Sequence, residues 1–370
     1  IDILKKEKNN ITMSLLTSNT NYKELLKQVK IFDVKNIIIS DPKIFLKVKI
    51  LLKSKDINVY NNFESIHKIF KKDKIDYTMS AISGFEGLKP TLDIIKFTKI
   101  IAIANKESII CGWSLINKSI KKNKVKFIPV DSEHFSIWSL MNKSSNTDIE
   151  KVFITASGGP FNNLPFKKFK LIKLREALNH PSWSMGKKIS IDSATMMNKV
   201  FEIIEAKKIF NFKYKQIKII VHPQSYVHAM IKFSNGLIKI LVHETNMKIP
   251  IFNSLYPNFE KKITSKKINF DILNNLDFNK VDTKKFPVVK LINSLPHKES
   301  LYETVLVSAN DRLVKHFLEK KIEFMDISKF LLKIIKRKEF QKYKYKAPIN
   351  IDQIRSLNQY VSLKIDNLCV

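Results

Sequence analysis

Three carboxylates and a cluster of phosphate-type donors carry the chemistry legible in this chain. Asp131 and Glu133 stand two apart just after the apolar run 125–130. Glu202 lies in the stretch 180–210, HPSWSMGKKISIDSATMMNKVFEIIEAKKIF. If the chain stays extended past its strand, Asp131 and Glu133 point the same way. Glu202 would then complete an oxygen-rich set for Mg²⁺ or Mn²⁺. A D-x-E pair alone also describes a solvated turn. Within 180–210, Ile189 and Ile191 read as a short strand, Asp192 or Ser193 as an N-cap, and residues 195–210 as a helix. On that helix Asn198, Lys199 and Glu202 share a face near its start, where free N–H groups and the dipole suit an anion. One helix start could hold a phosphate through Ser193, Asn198 and Lys199 while Glu202 faces a metal. The plain alternative is a capped amphipathic helix with a solvated face.

Other segments add single features. Ser157-Gly158-Gly159-Pro160 follows an apolar run, and its exposed amides could cradle phosphate or simply form a loop. Trp183 and Met185 flank Ser184 in a loop, as a lid or as buried anchors. Asn105-Lys106-Glu107-Ser108 follows another apolar run. His134 could ligate a metal or sit at a helix start. His222 and His228, six apart, could share one strand face in a structural role.

These groups need elements to position them, and the first 130 residues supply an alternation. Helical spacing marks 1–7, 22–32, 42–53, 65–72, 88–98 and 108–121; strand-like runs are 11–16, 36–40, around Val59, 77–82, 100–104 and 125–130. Such alternation predicts a parallel sheet with helices on both faces, whose ligands sit at the carboxyl ends of the strands. Residues 217–243 read as two strands joined through Ser234-Asn235-Gly236. Residues 257–290 read as a polar connector with a strand-like 268–270. Residues 298–367 read as helices that support the site, and the Lys-rich run 336–346 as a solvated helix surface.

Composition narrows the class. At 370 residues and 44% hydrophobic, the chain can build more than one core. The net charge of +32 invites nucleic acid, but the lysines are scattered rather than interleaved with aromatics in a binding stripe. No nucleic-acid partner is expected; the charge favours phosphorylated substrates instead. Cys111 and Cys369 form no motif, which points to a reducing compartment. No membrane-length apolar run or signal peptide is visible, so a cytoplasmic location is expected. The first glycine is Gly84, so no G-x-G-x-x-G turn precedes it.

Taken together, the segments IAIANKES (101–108), PVDSEH (129–134), TASGGPF (155–161), HPSWSMGKKISIDSATMMNK (180–199), the E-x-IEA of 202–206, VHPQS (221–225), MKIPI (247–251) and, more loosely, 308–327 resemble the 1-deoxy-D-xylulose 5-phosphate reductoisomerase family. The resemblance spans nearly the whole chain, with long motifs in order. It implies an NADP-dependent oxidoreductase and isomerase of isoprenoid biosynthesis. Such an enzyme converts 1-deoxy-D-xylulose 5-phosphate to 2-C-methyl-D-erythritol 4-phosphate with NADPH and Mg²⁺ or Mn²⁺. A carbon–carbon bond migrates while the metal stabilises charge, and NADPH then reduces the aldehyde. The resemblance further implies a homodimer.

By the same resemblance, Asp131, Glu133 and Glu202 bind the metal and, with Lys106, are the catalytic set. Lys106, Ser132, Glu133, Ser157, His180, Ser193, Asn198, Lys199 and Glu202 contact substrate. Asn19, Thr20, Asn21, Asn105, Glu107, Gly186 and Met247 contact NADPH, and Trp183 belongs to a closing loop. The expected organisation is an α/β protein. Residues 1–131 form a Rossmann-like NADPH-binding domain whose first strand is expected upstream of Ile1. Residues 132–256 form an α+β catalytic domain, 257–290 a connector and 291–370 a helical bundle. Departures from the family pattern are Ser18-Asn19-Thr20-Asn21 where a Gly-Lys-Asn-like run is common, Val200 for a usual Gly, and Phe135 and Trp138 after the metal motif. With the family's glycine-rich turn expected upstream, residues 1–370 should bind phosphosugar better than NADPH. Two other classes compatible with the sequence are a non-catalytic phosphate-binding remnant and a basic nucleic-acid-associated protein.

Overall fold

A computed structural model describes residues 1–71, 74–141, 148–258 and 261–369. The elements, in chain order, begin with α1 (Asp2–Lys6), β1 (Leu16–Ser18), α2 (Tyr22–Phe32), β2 (Asn36–Ile39), α3 (Pro42–Leu51), β3 (Asn58–Tyr60) and α4 (Ile66–Ile69). Then come β4 (Ile75–Ser80), α5 (Leu88–Ile95), β5 (Thr98–Ile103), α6 (Lys106–Asn123), β6 (Lys126–Pro129), α7 (Ser132–Leu140) and β7 (Ile149–Ala156). The central part continues with α8 (Leu174–Leu178), α9 (Lys187–Ala194), α10 (Met197–Phe210), β8 (Ile217–Val221), β9 (Val227–Phe233), β10 (Ile238–Val242), α11 (Lys248–Leu255) and α12 (Phe270–Asn274). Last are α13 (Tyr302–Leu318), α14 (Phe324–Ile334), α15 (Lys338–Gln341) and α16 (Ile351–Cys369).

The chain divides into two compact units. The first comprises Ile1–Ser80, Lys89–Ala102 and Ser119–Phe127. In it β1, β2 and β3 pair in that order, all parallel, through α2 and α3. The apolar face of α2 explains the packing: Leu25 and Val29 bury against Ile37 and Ile39 of β2 and Val48 of α3. Asp41 caps α3 by accepting from the Ile44 amide at 2.9 Å, with Pro42 at the first helical position. A second sheet runs β4-β5-β6. The alternation expected from the sequence is thus the Rossmann-like pattern observed. Strand β1 begins at Leu16 rather than at 11, and the expected helix 65–72 is a single short turn, α4, with Lys72 outside the described residues.

The second unit comprises Ala81–Leu88, Ile103–Lys118 and Ile128–Val370. Its sheet has the order β10-β9-β7-β8, with β7 parallel to β8 and antiparallel to β9. The hairpin through 234–236 joins β9 to β10 as expected, while 217–221 forms a separate strand, β8. His222 therefore lies just past β8 and His228 in β9, and they do not share a strand face. The connector 257–290, of which 259 and 260 lie outside the described residues, docks on β8: Val221 and Asn279 form an antiparallel bridge. Phe270 in it starts α12 rather than ending a strand. The C-terminal helices pack around α13, whose Arg312 and His316 both reach Asp366 of α16, at 2.7 and 2.8 Å. Within the Lys-rich run 336–346, α15 and a following 3-10 turn are short.

Two sequence expectations are corrected around the site. Residues 189–191 are not a strand: they lie inside α9, and Asp192 and Ser193 are helical rather than capping. The alternation of Ile189 and Ile191 mimics a period of two because α9 is packed on more than one side, with Ile191, Asp192 and Ala194 all buried. The cap position of α10 is instead Met196, left-handed at φ 65° and 2% exposed. Second, Asp131 and Glu133 do not sit in an extended segment. Asp131 is the residue before α7 and Glu133 lies in its first turn, so they converge through helical geometry.

Candidate active site

Helix α10 is the beam of the site. Lys199, Glu202, Glu205 and Lys208 follow one another at three-residue spacing, and each is at most 9% exposed. Burying an ionised side chain costs several kcal/mol unless it is paired, so each partner on this stripe matters. Lys208 Nζ lies 3.1 Å from Glu299 and 3.7 Å from Glu303. Glu205 Oε2 faces His134 Nδ1 at 3.4 Å, and His134 Nε2 donates to the Glu202 carbonyl at 2.9 Å.

At its first turn α10 meets the start of α7. One ligand oxygen each from Asp131, Glu133 and Glu202 lie within 4.8 Å of one another. Two lysines close on this set. Lys106 Nζ stands 2.8 Å from Asp131 Oδ2 and 3.4 Å from Glu202 Oε1, and it donates to Asn198 Oδ1 at 2.6 Å. The Asp131 contact is an ion pair without hydrogen-bond alignment, since Oδ2 finds no aligned donor. Lys199 Nζ pairs with Glu133 and reaches Glu202 Oε2 at 2.6 Å. Asn198 also donates to Glu202, and Ser132 Oγ donates to Glu133 Oε2 at 2.6 Å.

The electrostatics follow from this geometry. Burial and the Glu133 charge push the Glu202 carboxyl up to about 8. Burial also raises Glu133, but Lys199 and the Ser132 hydroxyl outweigh it and hold Glu133 far below the usual carboxylate range. Burial lowers Lys106, but Asp131 and Glu202 outweigh it, so its ammonium stays charged. Three hard oxygen donors, crowded and only partly neutralised, are a donor set that a divalent cation fits. A second group, Asp131, His134 and Glu205, also has ligand atoms within 4.8 Å of one another. Glu205 is not among the expected ligands; the three-residue spacing along α10 is the signal that marks it.

The phosphate-type donors gather beside this centre. Ser157 Oγ lies 3.0 Å from His180 Nε2 and accepts from the Gly159 amide at 3.1 Å. His180 Nδ1 accepts from the Ser182 and Trp183 amides at 3.1 and 3.0 Å, so the imidazole proton sits on Nε2 and points at Ser157. Both Ser157 lone pairs are then taken, and its own hydroxyl proton is left to donate to a ligand oxygen. Gly159 permits the approach: its φ is +66°, and a Cβ there would lie 2.9 Å from the Ser193 carbonyl. Burial and the Lys199 charge lower His180 to about 4, so it is neutral. Ser193 lies in the last turn of α9 beside this glycine. The side chains of Asn198 and Lys199 are turned to the carboxylates. Trp183 stacks edge-on to His228 at 6.1 Å, and His228 stacks flat on His243 at 3.6 Å, a pair not singled out from sequence. Burial and His243 lower His228 to about 3. His222 is structural: its ring bonds the Asp277 carbonyl and accepts from the Tyr226 amide.

The expected cofactor residues occupy two kinds of position. Asn19, Thr20 and Asn21 link β1 to α2; Asn19 donates to Ser40 Oγ at 2.9 Å, and Asn21 makes no side-chain cap on α2. That leaves first-turn amides of α2 suited to a phosphate, as in a nucleotide-binding βαβ unit. In the second unit Asn105 accepts from the Ser108 amide at 2.6 Å and donates to Gly84 O at 2.7 Å, so it caps α6 and braces the 82–84 loop. Glu107 pairs with Lys188, Gly186 precedes α9 with open space around its Cα, and Met247 precedes α11.

Comparisons with known proteins place the chain in one family. A family model described as 1-deoxy-D-xylulose 5-phosphate reductoisomerase matches residues 1–112, and two models of its C-terminal domains match 127–210 and 243–361. The chain is 61% identical, over 371 aligned residues, to the 1-deoxy-D-xylulose 5-phosphate reductoisomerase of Pelagibacter ubique strain HTCC1062, covering all of this chain and 96% of that protein. A solved DOX-P reductoisomerase in complex with NADPH, fosmidomycin and magnesium superposes at a TM-score of 0.90 with 29% identity, covering 99% of this chain and 94% of that one. The enzyme of Zymomonas mobilis in complex with NADPH superposes at 0.87 with 29% identity, covering all of this chain and 94% of that one.

Proposed function

The chain belongs to the 1-deoxy-D-xylulose 5-phosphate reductoisomerase family, and from that premise we infer what its residues do. It is an NADP-dependent oxidoreductase that converts 1-deoxy-D-xylulose 5-phosphate to 2-C-methyl-D-erythritol 4-phosphate. The observation that carries the site assignment is the convergence of Asp131, Glu133 and Glu202 within 4.8 Å, flanked by Lys106 and Lys199.

A divalent cation held by these carboxylates would supply Lewis-acid stabilisation of substrate oxygens, and NADPH would supply the hydride. The chain's own groups do the rest. Lys106, charged and fixed between Asp131 and Asn198, donates to a hydroxyl or carbonyl oxygen of the sugar. Ser132, whose proton is given to Glu133, keeps lone pairs that can accept from a substrate hydroxyl. Ser157, oriented by His180, donates to the phosphate; Ser193, Asn198 and Lys199 join it once Lys199 swings from Glu133. Trp183 covers the ligand and excludes water.

Residues 19–21, 105, 107, 186 and 247 contact NADPH, and 1–131, 132–256, 257–290 and 291–370 serve as cofactor, catalytic, connecting and supporting segments. Mn²⁺ can replace Mg²⁺, since both take carboxylate oxygens. The protein works as a cytoplasmic homodimer. Support for a dimer is the edge strand β10, where Ile238, Ile240 and Val242 lie 58, 45 and 37% exposed on one face. No helix among the described residues is long and apolar enough to cross a membrane. The test is NADPH consumption on adding 1-deoxy-D-xylulose 5-phosphate, with and without a chelator. Chelator-sensitive oxidation yielding the methylerythritol phosphate supports the function; none at any metal concentration overturns it.

A further inference from the structure

Lys188, the second residue of α9, plays no part in the chemistry above. Yet its ammonium is shared by three carboxylates from three helices. It pairs with Glu107 in the first turn of α6, lies 3.1 Å from Asp192 Oδ2 one turn along α9, and lies 3.0 Å from Asp311 Oδ1 of α13. The same ammonium stands 5.5 Å from the Phe201 ring of α10. The far oxygen of Asp192 accepts from Asn310 at 2.7 Å, which fixes that carboxylate. Glu107 and Asp192 are 7% and 2% exposed.

Three carboxylates around one ammonium repel each other, so the cluster is a costly way to hold helices together. What it fixes is specific. Glu107 adjoins Lys106, and Lys188 stands two residues after Gly186 at the end of the Trp183 loop. The start of α6 and the start of α9 are therefore tied by one cation. We propose that Lys188 is a positioning residue for NADPH: it sets the spacing between the α6 start and Gly186. This rests on the function inferred above, in which Glu107 and Gly186 touch the cofactor.

The experiment compares wild type with Lys188→Met, Lys188→Arg and the charge-relieved double variant Lys188→Met/Asp311→Asn. NADPH dissociation is read by fluorescence titration, Mn²⁺ binding by electron paramagnetic resonance, and KM for each substrate by steady-state kinetics. Lys188→Met is expected to raise the NADPH dissociation constant and KM about tenfold, with Mn²⁺ affinity unchanged. Lys188→Arg, which keeps the charge, should restore most of the loss. Should Lys188→Met fail to fold, the double variant, with one less repelling carboxylate, carries the same expectation. Unchanged NADPH affinity in a folded variant, an equal loss of NADPH and Mn²⁺ binding, or failure of both Met variants to fold would each assign Lys188 a purely structural role and overturn the proposal. Absence of both NADPH and phosphosugar binding by the wild type would instead count against the function itself.

Discussion

Lys199 Nζ stands 2.6 Å from Glu202 Oε2 and also pairs with Glu133, so one ammonium spans two of the three carboxylates of the metal set. A divalent cation and this ammonium seek the same lone pairs. The two therefore compete, and a phosphate that draws Lys199 away must tighten the metal.

Substituting Lys199→Gln removes the competitor and a phosphate donor together. Mn²⁺ affinity is expected to rise about tenfold while KM for the phosphosugar rises. Isothermal titration with Mn²⁺, with and without inorganic phosphate, checks this; phosphate should tighten Mn²⁺ in the wild type and not in the variant. Weaker Mn²⁺ binding in the variant would refute the competition.

His180 gives the folded state a pH dependence. Its folded value of about 4 lies below the ordinary histidine value because of burial and Lys199, and protonation would also aim an N–H at the Ser182 and Trp183 amides. The unfolded chain thus binds more protons between pH ~6.5 and ~4. Stability from this group is complete above ~6.5 and falls as pH drops through that window, by ~1–2 kcal/mol after allowing for solvent screening. Melting temperatures across that range should fall less steeply in His180→Gln than in the wild type; parallel slopes would show that His180 does not contribute.

Gly159→Ala places a Cβ 2.9 Å from the Ser193 carbonyl at a φ of +66°. A loss of ~1–3 kcal/mol in stability is expected from the strain, together with a higher KM for the phosphosugar because Ser157 moves. Thermal melts and kinetics on this variant check both; a variant as stable as wild type would show that the turn relaxes freely.

Much of the fold is legible in the sequence. The 3.6-residue period of residues 22–32, with Leu25 and Val29 inward, defines α2 on its own. The alternation of such helices with the short apolar runs gives the parallel sheet. The carboxylate set could be assembled because resemblance supplied the pairing that spacing could not. What remained hidden shares one physical cause. Helix α9 is buried on more than one side, so its sequence carries no clean polar face to mark the period, and on α10 the polar stripe is itself buried. Lys188 and Asp192, an i, i+4 pair 3.1 Å apart, would have signalled a helix, but the isoleucines between them imitate a strand. Glu205 and Lys208 are hard to place from sequence because charged residues ordinarily face solvent.

The most direct test of the metal centre is Mn²⁺ binding by electron paramagnetic resonance to wild type and to the single variants Asp131→Asn, Glu133→Gln and Glu202→Gln. Each variant is confirmed folded by its melting transition. Expected is one saturable Mn²⁺ per wild-type chain and a loss of affinity of about a hundredfold or more in each variant. Wild-type affinity retained in any folded variant would contradict the assignment of that carboxylate, and retention in all three would remove the centre from this place in the fold.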